Sequence, residues 1–234
     1  MGGMNGELKG KRALVVGGSG GIGRGLADAL LAEEAIVTTV GRHEVPGADS
    51  CVLDLDIPSK CAIVLDKASS AEILAVVRGP FLQKPLSRTS RDEWAEMTWA
   101  NLGFPGALVS AALPAMQAAG WGRILLFGGT RTDDVRGFRT NAAYAAAKTG
   151  LSSLAKSVSL EYASSGITCN VVCPGFVETE YLDSAQKCEL AAKNPDGKLI
   201  SVEEMAKTAL FVLKNSALNG VVLPVDKGWA PSVI

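Results

Sequence analysis

The sequence predicts an α/β fold, a parallel sheet covered by helices on both faces, from three observations. Strand-like and helix-like segments alternate along the whole chain. The strand-like segments are short apolar runs, and 47% of the 234 residues are hydrophobic, as suits strands buried on both sides. A glycine-rich turn, Gly17 to Gly23, joins the first strand to the first helix.

Residues 13–16 form the first strand, which runs into glycines. Ile22, Leu26 and Leu30 recur at i+4 and predict a helix after the turn. The β-branched run 36–40 is the second strand, 51–55 the third and 73–77 the fourth. Between Asp54 and Gly79 there is room only for a stunted helix. Ser90 and Glu93 have capping-box spacing and open a helix through Asn101, with a bend or break expected at Pro105 and Pro114. Residues 123–127 are the fifth strand. Residues 141–163 are a long helix, with Ala147, Leu151, Leu154, Val158 and Tyr162 on one face. Residues 167–173 are the sixth strand, Ser201 and Glu204 cap a helix reaching about Leu213, and 220–225 are the seventh strand. No linker or repeat divides the chain. One domain is expected over 11–234, after a loose N-terminus over 1–10 that lacks the apolar core of a signal peptide.

Composition excludes several functions. Lys plus Arg is 23 against 24 for Asp plus Glu, so no basic excess marks a nucleic-acid partner. No apolar run reaches about 18 residues, so no membrane span is expected. Five cysteines at irregular spacing read as reduced thiols in a cytoplasmic protein. With His43 the only histidine, a histidine-rich zinc site is excluded, a Ser-His-Asp triad is disfavoured and no metal is expected. Chemistry must then use Tyr, Lys, Asn, Ser, Thr or carboxylates.

The glycine turn carries the first functional signal. Glycines between a strand and a helix let backbone N–H groups approach phosphate, and the helix N-terminus favours an anion. Two registers fit: Gly18, Gly20 and Gly23, or Gly17, Gly21 and Gly23. The second strand ends at Gly41-Arg42, where an acidic residue would read the 2′-hydroxyl of NAD. Arg42, with Arg24 as a second cation, favours the 2′-phosphate of NADP over NAD. Tyr144 and Lys148 share a helix face, so the lysine can lower the phenol's pKa.

Together these residues resemble the short-chain dehydrogenases/reductases, among them the 3-oxoacyl-(acyl-carrier-protein) reductases. Asp54, Asn101, the run Pro174-Gly175-Phe176-Val177-Glu178-Thr179 and the closing Val225-Asp226-Lys227-Gly228 extend the resemblance from about Lys11 to Gly228. It implies a Rossmann-like, doubly wound domain with a seven-stranded parallel sheet. Gly17, Ser19, Gly21, Ile22, Gly23, Arg42, Asp54, Leu55, Pro174 and Gly175 would line the cofactor, with Asp54 at the adenine. Lys148 would hold the nicotinamide ribose, and Val177 and Thr179 the carboxamide. Tyr144 would be the general acid and base for a carbonyl or alcohol substrate, and Asn101 would hold a water in a relay to Lys148. The stretch 180–198 would be a substrate lid, and the protein a homodimer or homotetramer.

Departures from the family pattern leave a second reading open. The family's serine, about 13 residues before the tyrosine, is replaced by Gly129, with Thr130 or Thr132 as substitutes. The Asn-Asn-Ala-Gly after the fourth strand reads Val76-Val77-Arg78-Gly79. These changes would also suit a non-catalytic dinucleotide-binding regulator or partner subunit.

Overall fold

The computed structural model describes residues 7–229. In chain order the elements are β1 (Arg12–Val16), α1 (Gly21–Ala32), β2 (Ile36–Gly41), β3 (Asp49–Val52), α2 (Cys61–Ala68) and β4 (Ile73–Val76). Then come α3 (Arg91–Thr98), α4 (Phe104–Ala119), β5 (Gly122–Phe127), α5 (Ala142–Tyr162) and β6 (Ile167–Pro174). The chain closes with β7 (Val177–Glu178), α6 (Ser184–Ala191), β8 (Ile200–Ser201), α7 (Val202–Lys214) and β9 (Val222–Val225). Seven strands form one parallel sheet in the order β3-β2-β1-β4-β5-β6-β9. This is the doubly wound sheet expected.

Strand periodicity explains the two-sided core. Leu14, Val16, Leu74, Val76, Ile124 and Leu126 face one side, against α2, α4 and α5. Their neighbours Ala13, Val15, Ile73, Ala75, Leu125 and Phe127 face the other, against α1 and α7. Alternate residues point to opposite faces, so both sets must be apolar, and the runs read as continuous.

The structure corrects four expectations. The third strand ends at Val52, not Leu55: Leu53 and Leu55 turn into the core while Asp54 stays exposed at the cleft. Pro114 does not break α4, because its turn faces solvent and the Ser110 carbonyl it leaves free is reachable by water. At Pro105 the helix instead widens into a π turn, Trp99–Gly103, which absorbs the missing donor. Of the stretch 1–10, residues 1–6 lie outside the described residues. Residues 7–10 are anchored rather than loose: Leu8 is buried, although its neighbours are exposed, and the Gly10 N–H donates to Glu34 O at 2.8 Å.

Both capping boxes form, at Ser90 with Glu93 and at Ser201 with Glu204. The short strands β7 and β8 pair with each other outside the main sheet. The continuous helical stretch Arg91–Ala119 is long and apolar enough to cross a membrane by composition. Here Phe104, Leu108, Ala112 and Met116 pack it against the sheet.

Candidate active site

Strand order reverses between β1 and β4, and there the C-terminal ends of the strands diverge into a crevice. A cleft of about 490 Å³ occupies it. Its lining includes Gly17, Ser19, Gly21, Ile22 and Gly23 of the turn, Arg42, Asp54 and Leu55, and Val77, Arg78, Gly79, Thr179 and Tyr181. The register of the turn is now decided. Gly17 and Gly21 have φ of +87° and +49°, where a side chain would be strained, whereas Gly20 is extended. Gly23 is required for space, since a Cβ there would overlap the Gly17 carbonyl.

Ser19 ties the turn to the second strand, its hydroxyl accepting from the Arg42 N–H at 3.0 Å. Arg42 itself is exposed at the cleft and makes no salt bridge among the described residues. Arg24, expected to assist it, is instead held by Asp28 one turn along α1 at 2.9 Å. The second cation of the cleft is Arg78, paired with Asp56. Sequence reasoning registered Arg78 only as a departure from the family pattern.

A second cavity, about 210 Å³, opens from the first and shares Ile22, Val77 and Gly79 with it. Its remaining walls are Phe127, Gly128, Gly129, Thr130, Tyr144, Lys148, Pro174 and Gly175. Helix α5 brings Tyr144 and Lys148 to this pocket. Burial pushes the Tyr144 phenol up to about 12, with the nearby Cys173 adding to the rise. Burial lowers Lys148 to about 8, and its Nζ donates to the Phe127 carbonyl at 2.7 Å. The lowering of the phenol expected from Lys148 is thus absent: burial and the nearby Cys173 both raise it, and no attraction from Lys148 opposes them. The Phe81 ring meets Tyr144 edge-on, with centroids 4.9 Å apart, and shelters the phenol on one side. No spacing rule could have found that contact.

Asn101 sits in the π turn, fully buried, its Nδ2 donating to Pro80 O and Met97 O at 3.1 Å. Its Oδ1 is buried without a partner. A Cβ on Gly79 would lie 2.5 Å from that oxygen and 2.5 Å from Lys148 Nζ, so both atoms border one small gap. Gly79→Ala should fill it. We expect turnover to fall at least about tenfold and stability by about 1–3 kcal/mol, read from steady-state rates and urea unfolding. Unchanged values for both would show that the gap serves neither packing nor chemistry.

The hydroxyl question is also narrowed. Thr132 is buried, its Oγ1 accepting from the Gly129 N–H at 2.8 Å and donating to the Gly129 carbonyl at 3.0 Å. That hydroxyl is committed to the loop. Thr130 is partly exposed and lines the pocket. Gly129 gives its space to the phenol: a Cβ there would lie 2.6 Å from Tyr144 Oη. A serine at 129 would therefore displace the tyrosine it should assist. Val177 is buried in the core and does not line either cavity, whereas Thr179 does line the cleft. Among the described residues no cluster of His, Cys, Asp and Glu could hold a metal.

Fold and site together define a doubly wound α/β protein whose dinucleotide-shaped cleft opens into a Tyr–Lys pocket. A family model described as enoyl-(acyl carrier protein) reductase matches residues 17–230. The 3-oxoacyl-[acyl-carrier-protein] reductase FabG of Salmonella typhimurium is 34% identical over 95% of this chain and 98% of its own. D-beta-hydroxybutyrate dehydrogenase of Rhizobium meliloti is 28% identical over 94% and 98%. A candidate NAD(P)-dependent gluconate 5-dehydrogenase from Beutenbergia cavernae, solved with bound NADP at low occupancy, superposes with a TM-score of 0.84. It is 28% identical and covers 96% of this chain and 98% of its own. The chain belongs to the short-chain dehydrogenase/reductase family and is an oxidoreductase.

Proposed function

We propose that this protein is an NADP-dependent oxidoreductase acting on a carbonyl or alcohol substrate, with Tyr144 as general acid and base. The observation that carries the reading is the junction of the two cavities. A molecule lying along the glycine turn from Arg42 reaches the pocket of Tyr144 and Lys148 through Ile22, Val77 and Gly79.

The residues fit the cofactor. Backbone N–H groups at the start of α1 suit a pyrophosphate, Asp54 and Leu55 an adenine, and the Arg42 guanidinium a 2′-phosphate. Pro174, Gly175 and Thr179 close the nicotinamide end. When bound, the nicotinamide supplies or accepts the hydride. In reduction, the Tyr144 Oη–H donates to the carbonyl oxygen, and the proton moves to it as carbon accepts hydride, leaving the alcohol. Lys148, buried in the same pocket, returns the proton. A water between Asn101 Oδ1 and Lys148 Nζ would complete the relay. Thr130 is the hydroxyl left to support the carbonyl oxygen. An absent donor at 129 lowers rates by about 10²–10³, so turnover on simple ketones should be slow.

Free thiols at all five cysteines suit the cytoplasm. The expected homodimer or homotetramer would cover exposed apolar residues such as Leu160 on α5 and Trp99 beside it.

The decisive experiment follows NADPH oxidation over a panel of ketones and 3-oxo esters. Consumption with none of them, by a protein that binds NADPH, would favour the non-catalytic reading. Arg42→Ala should weaken NADPH by about 10- to 100-fold and leave NADH nearly unchanged. Energy transfer from tryptophan to the reduced nicotinamide measures both. Equal loss for both nucleotides would remove Arg42 as the reader of the phosphate.

A further inference from the structure

We propose that Glu180 is the resident anion of the phosphate cradle, and that a dinucleotide enters by displacing this carboxylate and Tyr181. The inference rests on the nucleotide reading above. After β7 the chain turns back over the N-terminus of α1. There the Gly21 N–H donates to Glu180 Oε1 at 2.8 Å, across 159 residues of sequence. Helix α1 has no side-chain cap of its own and no acidic residue in its first turn. Glu180 therefore supplies the negative charge that this helix end attracts.

Tyr181 covers the same turn. The place of a Cβ on Gly20 is taken by the Tyr181 hydroxyl, with Glu180 Oε1 2.7 Å from it. The Tyr181 ring also lies 3.3 Å from the place of a Cβ on Gly21. Burial pushes the Glu180 carboxyl up, but the N–H groups of Glu180 and Gly21 and the Tyr181 hydroxyl outweigh it. The group titrates below the ordinary carboxylate value and is ionised at neutral pH.

A pyrophosphate seeks the same N–H groups that hold this carboxylate. Two anions cannot share them, so cofactor and Glu180 compete. The apparent affinity for the nucleotide is then the intrinsic affinity reduced by the fraction of molecules in which the cradle is open. Glu180 stands three residues before Asp183, the N-cap of α6. Its release must move the start of the stretch 180–198, so nucleotide entry and movement of that stretch are one event.

The test uses NADPH and inorganic pyrophosphate on the full chain, wild type and Glu180→Gln. Glutamine keeps the size and removes the charge. The variant should bind both probes about tenfold tighter, within what a charge at a helix N-terminus contributes. Hydrogen exchange gives the second readout. Pyrophosphate is too small to reach along α6, so faster exchange over residues 178–191 of wild type on its addition reports release. Glu180→Gln should exchange fast there beforehand. Equal affinities of the two proteins, or unchanged exchange in wild type with pyrophosphate bound, would overturn the proposal. Failure of the nucleotide reading looks different: NADPH binds neither protein, while pyrophosphate still separates them. Binding of neither probe to either protein overturns both.

Discussion

Tyr144→Phe should lower turnover by about 10²–10⁴, the range of a positioned acid, while NADPH affinity stays within about twofold of wild type. The phenol oxygen is the one group that the substitution removes. The ring keeps its edge contact with Phe81 and its place against Gly129, so the pocket should hold its shape. Because burial holds the phenol near 12, it is protonated at neutral pH and ready to donate in reduction. Oxidation needs the phenolate, so its rate should climb steeply with pH in wild type. Turnover close to normal in Tyr144→Phe, in either direction, would end the mechanism.

Lys148→Met should abolish turnover and yet make the protein without nucleotide more stable at neutral pH. The buried ammonium is held at about 8 against an ordinary value of 10.5, a difference equivalent to about 3 kcal/mol of unfavourable burial at pH 7. Removing it also removes the 2.7 Å hydrogen bond to Phe127 O, which offsets about half. A net gain of about 1–2 kcal/mol at pH 7 is expected from urea unfolding. Between pH 8 and 10.5 the unfolded lysine binds a proton that the folded one has released, so wild-type stability rises with pH across that window. The variant lacks that rise, and its advantage should vanish near pH 10. A variant less stable than wild type at pH 7 would mean that packing around the Lys148 stem, rather than its charge, dominates. A gain of that size would mark a lysine kept for chemistry against the interest of stability.

Much of this protein was legible before folding, for local reasons. Strand and helix periodicities, the two serine capping boxes and the Tyr144/Lys148 spacing depend on neighbours within a few residues. The stunted helix before β4 follows from chain length alone. The end of β3, the intact α4 at Pro114 and the anchoring of residues 7–10 through Leu8 were not legible. Each is decided by what lies alongside: the cleft, solvent, or the core that receives Leu8.

The site divides the same way. By itself the sequence determined the glycine turn, the cation after β2, the Tyr–Lys pair and the glycine at 129. It left two glycine registers and two threonines open. Tertiary structure decided both: backbone φ at Gly17 and Gly21 chose the register, and the bonds from Thr132 to Gly129 left Thr130 facing the pocket. It also replaced Arg24 with Arg78 as the second cation, and set Glu180 on the helix end where a phosphate would lie. The physical reason is distance along the chain. Spacing arguments reach one or two turns, whereas the acceptor of the Gly21 N–H lies 159 residues away and is brought there only by the fold.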